Sequence, residues 1–334
     1  MRKIQFPQQI DRNQPIDSSS ELMLKGTPCL PALIQIAGLN AEQRFIEFFT
    51  ANIRNPGTRS VYAHAVNQFC NWCEHRGVSL TAVSPFVVAA YIEQLTHQRS
   101  APTVKQHLSA IRGLFDWLVV GQVLPLNPAA SVRGPKHVVK VGKTPVLTAS
   151  EARQLLDAID TSTFIGLRDR ALIGVMVYSF ARVSAVIGMT VADYYPQGRR
   201  MWFRLKEKGG RHHDVPAHHN AEDYIDEYLE SAGIGNEGRS PLFRSVSREK
   251  TLTVRSMHRI DVLRMIKRRA ATAGISTRIG CHTFRATGIT CYLLGGGSLE
   301  HAQRIACHES ARTTKLYDRT SDTVSLDEIE RIII

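Results

Sequence analysis

Apolar residues recur at helical spacing in the N-terminal part of the chain. In the stretch 58–77 one helical face carries Tyr62, Val66, Phe69 and Cys73, and Gly77 ends the run. In the stretch 103–121 the apolar face carries Val104, Leu108, Ile111, Phe115 and Leu118. No convincing strand pattern accompanies them. We therefore predict a small helical bundle over residues 39–131, preceded by a polar tail over residues 1–38 that is rich in Pro, Gln and Ser.

The C-terminal part begins with a helix signal and then changes pattern. Thr148 and Glu151 have the spacing of a capping box ahead of a helical run. The segment 171–181 is a long, predominantly apolar run, which predicts a buried helix. The segment 200–218 alternates, turns at Gly209-Gly210 and alternates again, as a β-hairpin does. Because the pattern from about Ala221 onward is mostly helical, we expect a mainly α fold with a small β-sheet.

A basic segment at residues 132–146 joins the two predicted domains. It contains two prolines, two glycines, no acidic residue, and the cations Arg133, Lys136, Lys140 and Lys143. Such a composition predicts an extended linker that can run along a nucleic-acid backbone. The second domain then covers residues 147–334. Its end, 325–334, has a capping-box spacing at Ser325 and Glu328 and an isoleucine face, which predicts a terminal helix.

The charge balance indicates a polyanionic partner. Lys and Arg total 42 against 30 Asp and Glu, a net charge of +12. Neutralising phosphates releases counterions, so this excess favours nucleic acid. No segment combines a basic face with a strongly apolar one, and no apolar run approaches the ~20 residues that cross a bilayer. The N-terminus lacks the apolar core of a secretory signal, so we expect a cytoplasmic protein, which would lie at the bacterial nucleoid when it is bound to DNA.

Candidate groups for phosphate chemistry lie far apart in the sequence. Arg182 is predicted to end the buried helix, where a permanent charge is costly unless it meets an anion, and Lys208 stands at the hairpin turn. His282 and Arg285 are three residues apart, so a helix would present both on one face. His308 and Tyr317 lie in a basic stretch near the C-terminus. Taken singly, each has a plainer interpretation: a packing tyrosine, an arginine paired with a carboxylate, a hairpin lysine.

Two other clusters suggest metal or redox chemistry, and both have plainer interpretations. The histidines of the hairpin are His212, His213, His218 and His219. Adjacent strand residues point to opposite faces, so these four cannot all converge on one ion. Cys70 and Cys73 have redox or zinc spacing, but no second pair exists and a helical setting favours packing. We therefore predict no metal site and no cofactor.

In their order and spacing the candidate residues resemble the tyrosine recombinase (phage integrase) family. The resemblance covers roughly residues 40–334 and rests on "ARVSAVIGM", "KGGRHHDVP", "HTFRATGIT" and "HESARTTKLYDR". It implies a helical core-binding domain and a mixed α+β catalytic domain that form a clamp around DNA. It also implies a site-specific recombinase or integrase, of a mobile element, that needs neither metal nor ATP. A catalytically silent DNA-binding protein and a type IB topoisomerase are the alternatives.

The resemblance implies a role for each candidate. Tyr317 would attack a DNA phosphodiester to leave a 3′-phosphotyrosyl link and a free 5′-hydroxyl. Arg182, Arg285 and His308 would stabilise the transition state, His282 would accept the phenol proton or orient the phosphate, and Lys208 would protonate the leaving oxygen. The predicted contacts to DNA outside the site are Arg59, Lys105, Arg112, Arg133, Lys136, Lys140, Lys143 and Arg211.

Three positions depart from the family pattern or leave a choice open. The family usually has an acidic residue three positions after the first arginine, where this chain has Ala185, and Asp193 is a guess for its replacement. Ala306-Cys307 stands where Leu-Gly is common. Lys206 lies near the expected lysine, but Lys208 directly precedes the glycine turn and is preferred. As partners we expect double-stranded DNA with an inverted-repeat core site and further copies of the chain: a monomer or dimer in solution, a tetramer on paired sites. The terminal helix would dock either on its own core or on a neighbouring protomer.

Overall fold

The structure, a computed structural model, describes residues 30–138, 142–207, 210–318 and 329–330. The chain divides into two compact units, Met1–Val138 and Val139–Ile334. The division falls inside the basic segment 132–146. Each unit has its own hydrophobic core. No helix of the described residues is both long enough and apolar enough to cross a membrane.

The first unit is a bundle of helices, and its described residues contain no strand. The helices are α1 (Ala32–Gln35), α2 (Leu39–Glu47), α3 (Pro56–Glu74), α4 (Pro85–Gln98) and α5 (Ala101–Val120). Asn55 and Ser84 cap α3 and α4 through their side chains, each with a proline in the first turn, where the missing N–H costs nothing. All five predicted apolar positions of α5 are buried, so its predicted face is confirmed.

The predicted tail ends earlier than expected. Residues 32–35 form α1, with Leu33 and Ile34 buried in the bundle core. The backbone N–H of Leu33 donates to Glu74 Oε1 at 2.8 Å, which fixes α1 to the end of α3. A single helical turn is shorter than the window over which a period can be recognised, so the polar surroundings dominated the pattern. Residues 1–29 lie outside the described residues.

The second unit combines helices with two small antiparallel sheets. Its elements are α6 (Ala149–Asp157), α7 (Phe164–Tyr178), α8 (Val183–Ile187), β1 (Tyr194–Gln197), β2 (Arg200–Lys206), β3 (His212–Pro216), α9 (His219–Ala232), β4 (Arg244–Val246), β5 (Leu252–Ser256), α10 (Arg259–Thr272), α11 (Cys281–Leu294), α12 (Leu299–Ile305) and α13 (Ala311–Lys315). One sheet has the order β1-β2-β3 and the other pairs β4 with β5. Helix α7 is buried along most of its length, and α9 and α11 pack against it.

Several predictions for this unit are confirmed and others need correction. The Thr148 capping box starts α6, and the hairpin forms as β2-β3, with Lys206 opposite His212. The sequence pattern did not predict the short strands β1, β4 and β5. Each has only three to five residues, and β1 includes a proline, so the alternation of apolar and polar residues is too short to recognise. The predicted terminal helix at 325–334 lies outside the described residues except for 329–330.

The buried helix stops before the residue that it was expected to carry. α7 ends at Tyr178, where the Ser179 hydroxyl donates to Val175 O at 2.6 Å. Phe180 then adopts a left-handed conformation, with φ of 54°. This turn sends the chain away from α7, and Arg182 becomes the N-cap residue of α8. Arg182 therefore lies on a turn between two helices rather than at the end of one.

Candidate active site

Tyr317 lies directly after α13 with its hydroxyl against a histidine. Its ring packs on a small apolar cluster formed by Phe180, Ala286, Ile289, Ala302 and Ala306, and the residue is 7% exposed. The Thr290 hydroxyl donates to Tyr317 O at 2.9 Å, which fixes the backbone to α11. The phenol oxygen lies 2.7 Å from Nε2 of His282. The tyrosine thus stands on a packed support with its reactive atom hydrogen-bonded.

Helix α11 presents His282 and Arg285 from one face, as their spacing predicted. Arg285 is 1% exposed and is held by two backbone carbonyls: Nη1 donates to Phe180 O, and Nη2 donates to Ala306 O at 2.6 Å. Its Nε has no hydrogen-bond partner among the described residues. These carbonyls belong to the strained turn after α7 and to the end of α12. Arg285 therefore ties three segments of the site together.

His308 lies flat against the tyrosine ring. The two rings are nearly parallel, at 8°, with centroids 5.9 Å apart. Nδ1 of His308 is 2.9 Å from the Thr314 hydroxyl, a bond that orients the imidazole. Cys307, at the position where glycine is common, has a positive φ of 49°, so the backbone there keeps a glycine-like conformation.

Arg182 is paired with a carboxylate that the sequence did not single out. Its Nη1 donates to Oε2 of Glu207 at 2.5 Å. Asp193, the guessed partner, instead accepts from the backbone N–H and hydroxyl of Thr190, both at 2.8 Å. That prediction was wrong because the Asp193 carboxylate completes a capping box with Thr190, the N-cap residue of the short helix Val191–Asp193 that precedes β1.

The charges of the site perturb its titrating groups. Burial, followed by the charges of Arg285 and Arg182, lowers the pKa of His282. The same causes, with His282 added, lower the pKa of His308 to about 3. Burial raises the pKa of Tyr317, although Arg285 and Arg182 oppose that rise. Burial and then Arg182 lower the pKa of Arg285 to about 10. Both histidines are therefore neutral at pH 7, and two arginine charges lie close together.

The two lysine candidates differ in what the structure describes. Lys208 lies outside the described residues. Glu207 and Arg211 flank it, and the backbone N–H of Glu207 donates to Arg211 O at 2.8 Å. Lys206, the last residue of β2, is exposed. The choice of Lys208 stays a prediction.

The residues predicted to touch DNA fall into two groups. Exposed side chains are found at Lys105, Arg133, Lys136, Lys143 and Arg211. Arg211 also forms an ion pair with Glu309, at 3.3 Å between Nη2 and Oε1. Lys140 lies outside the described residues.

Arg59 and Arg112 do not belong with those exposed cations. Arg59 is buried and donates from Nε and Nη2 to Ile53 O. Arg112 donates from Nε to Ala129 O at 3.0 Å and from Nη2 to Val132 O. Because both guanidinium groups hold backbone carbonyls of their own unit, we remove them from the predicted DNA contacts.

Two of the four histidines predicted in the hairpin region have structural partners of their own. Nε2 of His213 lies 2.9 Å from Ile305 O, and His218 caps α9 and stacks on Tyr178. Within the described part of the chain no three His, Cys, Asp or Glu residues are grouped so that they could hold a metal ion. Cys70 and Cys73 are buried and unbridged in the first core, as the packing interpretation predicted.

Comparison with known proteins decides the family. A family model described as "Phage integrase family" matches residues 145–323, more than half of the chain, and one described as "Phage integrase, N-terminal SAM-like domain" matches residues 43–121. The chain belongs to the phage integrase family. The family assignment and the enzyme class, a tyrosine-type site-specific recombinase, are thereby confirmed.

Curated relatives and solved structures agree with this membership. Tyrosine recombinase XerD of Chlorobaculum tepidum is 27% identical over 286 residues, which are 82% of this chain and 90% of the relative. Tyrosine recombinase XerC of Pelobacter propionicus is 28% identical over 281 residues, which are 83% of this chain and 88% of the relative. A XerH recombinase bound to its difH substrate aligns with a TM-score of 0.63 at 18% identity, covering 88% of this chain and 84% of that one. A lambda integrase dimer bound to a core site aligns with a TM-score of 0.63 at 17% identity, covering 85% of this chain and 79% of that one. At such identities the structural likeness shows the fold, and the predicted mainly α fold with small sheets is confirmed.

Sequence reasoning missed the residues that support the site. Glu207, Thr290 and Thr314 contact the predicted side chains or the backbone beside them. Gly142 also supports the site: its backbone N–H donates at 2.9 Å to the carbonyl of Leu316, the residue before Tyr317. A threonine or a glutamate is too common to single out, so these contacts become visible only when the chain is folded.

Proposed function

We propose that this member of the phage integrase family is a site-specific DNA recombinase that breaks and rejoins strands through a 3′-phosphotyrosyl intermediate on Tyr317. The observation that carries the proposal is the 2.7 Å contact between the Tyr317 hydroxyl and Nε2 of His282, beside two arginines. A phenol hydrogen-bonded to a neutral imidazole has a proton acceptor in place. The nearby arginines lower the cost of forming the phenolate at pH 7.

The remaining residues suit the transition state of such a transfer. As Tyr317 Oη bonds to phosphorus and the bond to the 5′-oxygen breaks, charge builds on the non-bridging oxygens, where Arg182 and Arg285 can donate. With Nδ1 accepting from Thr314, His308 would carry its proton on Nε2 and donate there. Lys208 is the proposed donor of the proton to the leaving 5′-oxygen. The ester keeps the energy of the broken bond, so a second 5′-hydroxyl reseals it without ATP.

The state of Arg285 also supports an anion at this place. Its pKa is lowered to about 10, chiefly by burial and then by Arg182, and its Nε is buried without a partner among the described residues. Burying one cation near another is unfavourable unless an anion joins them. A DNA phosphate would supply the missing charge.

The direct test is a nicked "suicide" duplex, on which a cleaved strand loses its short end and cannot be resealed. The wild type should accumulate covalent adduct, and Tyr317→Phe should form none while still binding the duplex. Tyr292→Phe, in the same apolar cluster, is the matched control and should react. A pure DNA-binding protein would give no adduct. A topoisomerase would give adduct without strand exchange between two duplexes.

The proposed role of Lys208 as proton donor is tested by changing the leaving group of the DNA. Lys208→Ala should cleave poorly on a normal duplex and recover when the 5′-oxygen is replaced by sulfur, which leaves without needing a proton. Lys206→Ala is the matched control two residues away. If Lys206→Ala shows this recovery and Lys208→Ala does not, the general acid is Lys206.

The proposal extends to substrate and assembly. One solved relative is a lambda integrase tetramer bound to a Holliday junction. For this chain we propose a clamp on an inverted-repeat core site, a tetramer on two paired duplexes, and a place at the nucleoid in the cytoplasm. The mobile-element origin stays a prediction that inverted repeats beside the gene would support. Gel filtration alone and with paired sites tests the assembly.

A further inference from the structure

The ion pair between Arg182 and Glu207 joins two elements of the site. Arg182 stands at the start of α8, and Glu207 directly follows β2, 25 residues later. Glu207 is 5% exposed, and its second carboxylate oxygen, Oε1, is buried without a partner among the described residues. A buried carboxylate is costly unless it is paired. Arg182 is the cation that pairs with it here, at 2.5 Å.

The position that normally supplies an acid beside this arginine is apolar in this chain. Ala185 follows Arg182 by three residues, in the first turn of α8, and is 1% exposed. Its methyl group can neither accept from the guanidinium nor offset its charge. Glu207 brings a carboxylate to the arginine from the hairpin instead.

We infer that Glu207 is the positioning residue for Arg182, replacing from the hairpin the carboxylate that α8 lacks. The inference rests on the proposed function. The Arg182 side chain is 33% exposed while Glu207 holds Nη1, so the side chain is not sealed off from an incoming phosphate. Glu207 also directly precedes Lys208, so the same pair connects the arginine to the segment that carries the proposed acid.

The backbone around Glu207 is anchored as such a role requires. Its N–H donates to Arg211 O at 2.8 Å, and its carbonyl accepts from Gly210 N at 3.1 Å. Leu205, two residues earlier, is buried in the core of the unit. The carboxylate is thus held by the end of a paired hairpin, and it constrains the guanidinium more than a mobile surface acid would.

The experiment compares three variants in single-turnover cleavage of the nicked duplex, with binding measured separately. Glu207→Gln keeps the shape but loses the charge, and Glu207→Asp keeps the charge on a shorter stem. A misplaced guanidinium should slow adduct formation on the order of tenfold to a hundredfold in Glu207→Gln, with duplex affinity little changed. Glu207→Asp should stay closer to the wild type. Glu227→Gln, which breaks the pair of Glu227 with Arg170 in the same unit, is the control and should cleave normally.

The relative cleavage rates of Glu207→Gln and Glu207→Asp distinguish positioning of Arg182 by charge from simple packing. If Glu207 acted only by filling space, the isosteric Gln variant would match or exceed the Asp variant, and the inference would be overturned. A Gln variant that cleaves at the wild-type rate overturns it as well. Melting curves identify a variant that fails to fold. If Glu207→Gln or Glu207→Asp does not fold, the cleavage rate of the remaining variant tests the inference. If the wild type itself forms no adduct, the proposed function fails and the role of Glu207 fails with it.

Discussion

The low pKa of His308 predicts a specific weakness of the fold toward acid. Burial, and then the charges of Arg285, Arg182 and His282, lower this pKa from 6.5 to about 3. Between those values the unfolded chain binds a proton at His308 that the folded chain does not. The contribution to stability is therefore fully present above pH 6.5 and is lost as the pH falls toward 3. Each pH unit is worth about 1.36 kcal/mol, and the unfolded chain is already half protonated at His308 at pH 6.5, so His308 alone should cost about 2 kcal/mol between pH 6.5 and pH 4.5.

Urea unfolding at the two pH values measures this loss. Trp202 lies in β2 of the second unit, whereas Trp72 and Trp117 lie in the first, so replacing Trp72 and Trp117 by Phe gives a fluorescence signal from the second unit alone. In this background His308→Gln should remove about 2 kcal/mol of the pH dependence, because Gln does not titrate. His301→Gln, at an exposed histidine of α12, is the control and should keep the full dependence.

Equal acid sensitivity in the parent and His308→Gln would refute the reasoning. It would mean that His308 titrates alike in the folded and unfolded chains, and that the arginines do not act on it as the structure indicates. A direct titration of the imidazole by NMR gives an independent check. A midpoint near 6 would contradict the account in the same way.

Four further substitutions, with Gly235→Ala as a control, test the support of the site and the DNA interface. Thr290→Val should cost about 1–3 kcal/mol in thermal unfolding, because the buried Tyr317 carbonyl loses its donor, and should slow adduct formation. Gly288→Ala should cost ~1–3 kcal/mol or more, since its Cβ would lie 2.1 Å from Val177 O, whereas Gly235→Ala, with open space, should be neutral. Arg112→Met should cost about 2 kcal/mol through its two carbonyl contacts. Lys105→Met should leave stability unchanged and lower the salt slope of DNA binding by about 1.

Local patterns predicted the elements that carry the chemistry. The spacing of His282 and Arg285 placed both on one face of α11, and the apolar face of α5 was read correctly, because a helical period is a local property. The β2-β3 hairpin followed from alternation around two glycines. In each case the neighbouring residues alone determine the signal.

Long-range contacts could not be predicted in the same way. The pairing of Arg182 with Glu207 depends on how β2 packs beside α8, and no local rule distinguishes Glu207 from Asp193 as the partner. Arg112 was predicted to contact DNA, yet its guanidinium donates to the carbonyls of Ala129 and Val132, in the chain that follows α5. Phe180 has a left-handed backbone conformation, and its carbonyl accepts a hydrogen bond from Arg285. This conformation too depends on tertiary contacts.

The central claim is that the phenol oxygen of Tyr317 displaces a deoxyribose 5′-oxygen at a DNA phosphorus. Mass spectrometry of the protease-digested adduct from the nicked duplex tests it most directly. The account predicts a 3′-phosphonucleotide on the peptide that contains Tyr317, together with a released strand whose free 5′-hydroxyl a kinase can label. Attachment to another residue, or a 5′-phosphate on the released strand, would contradict it.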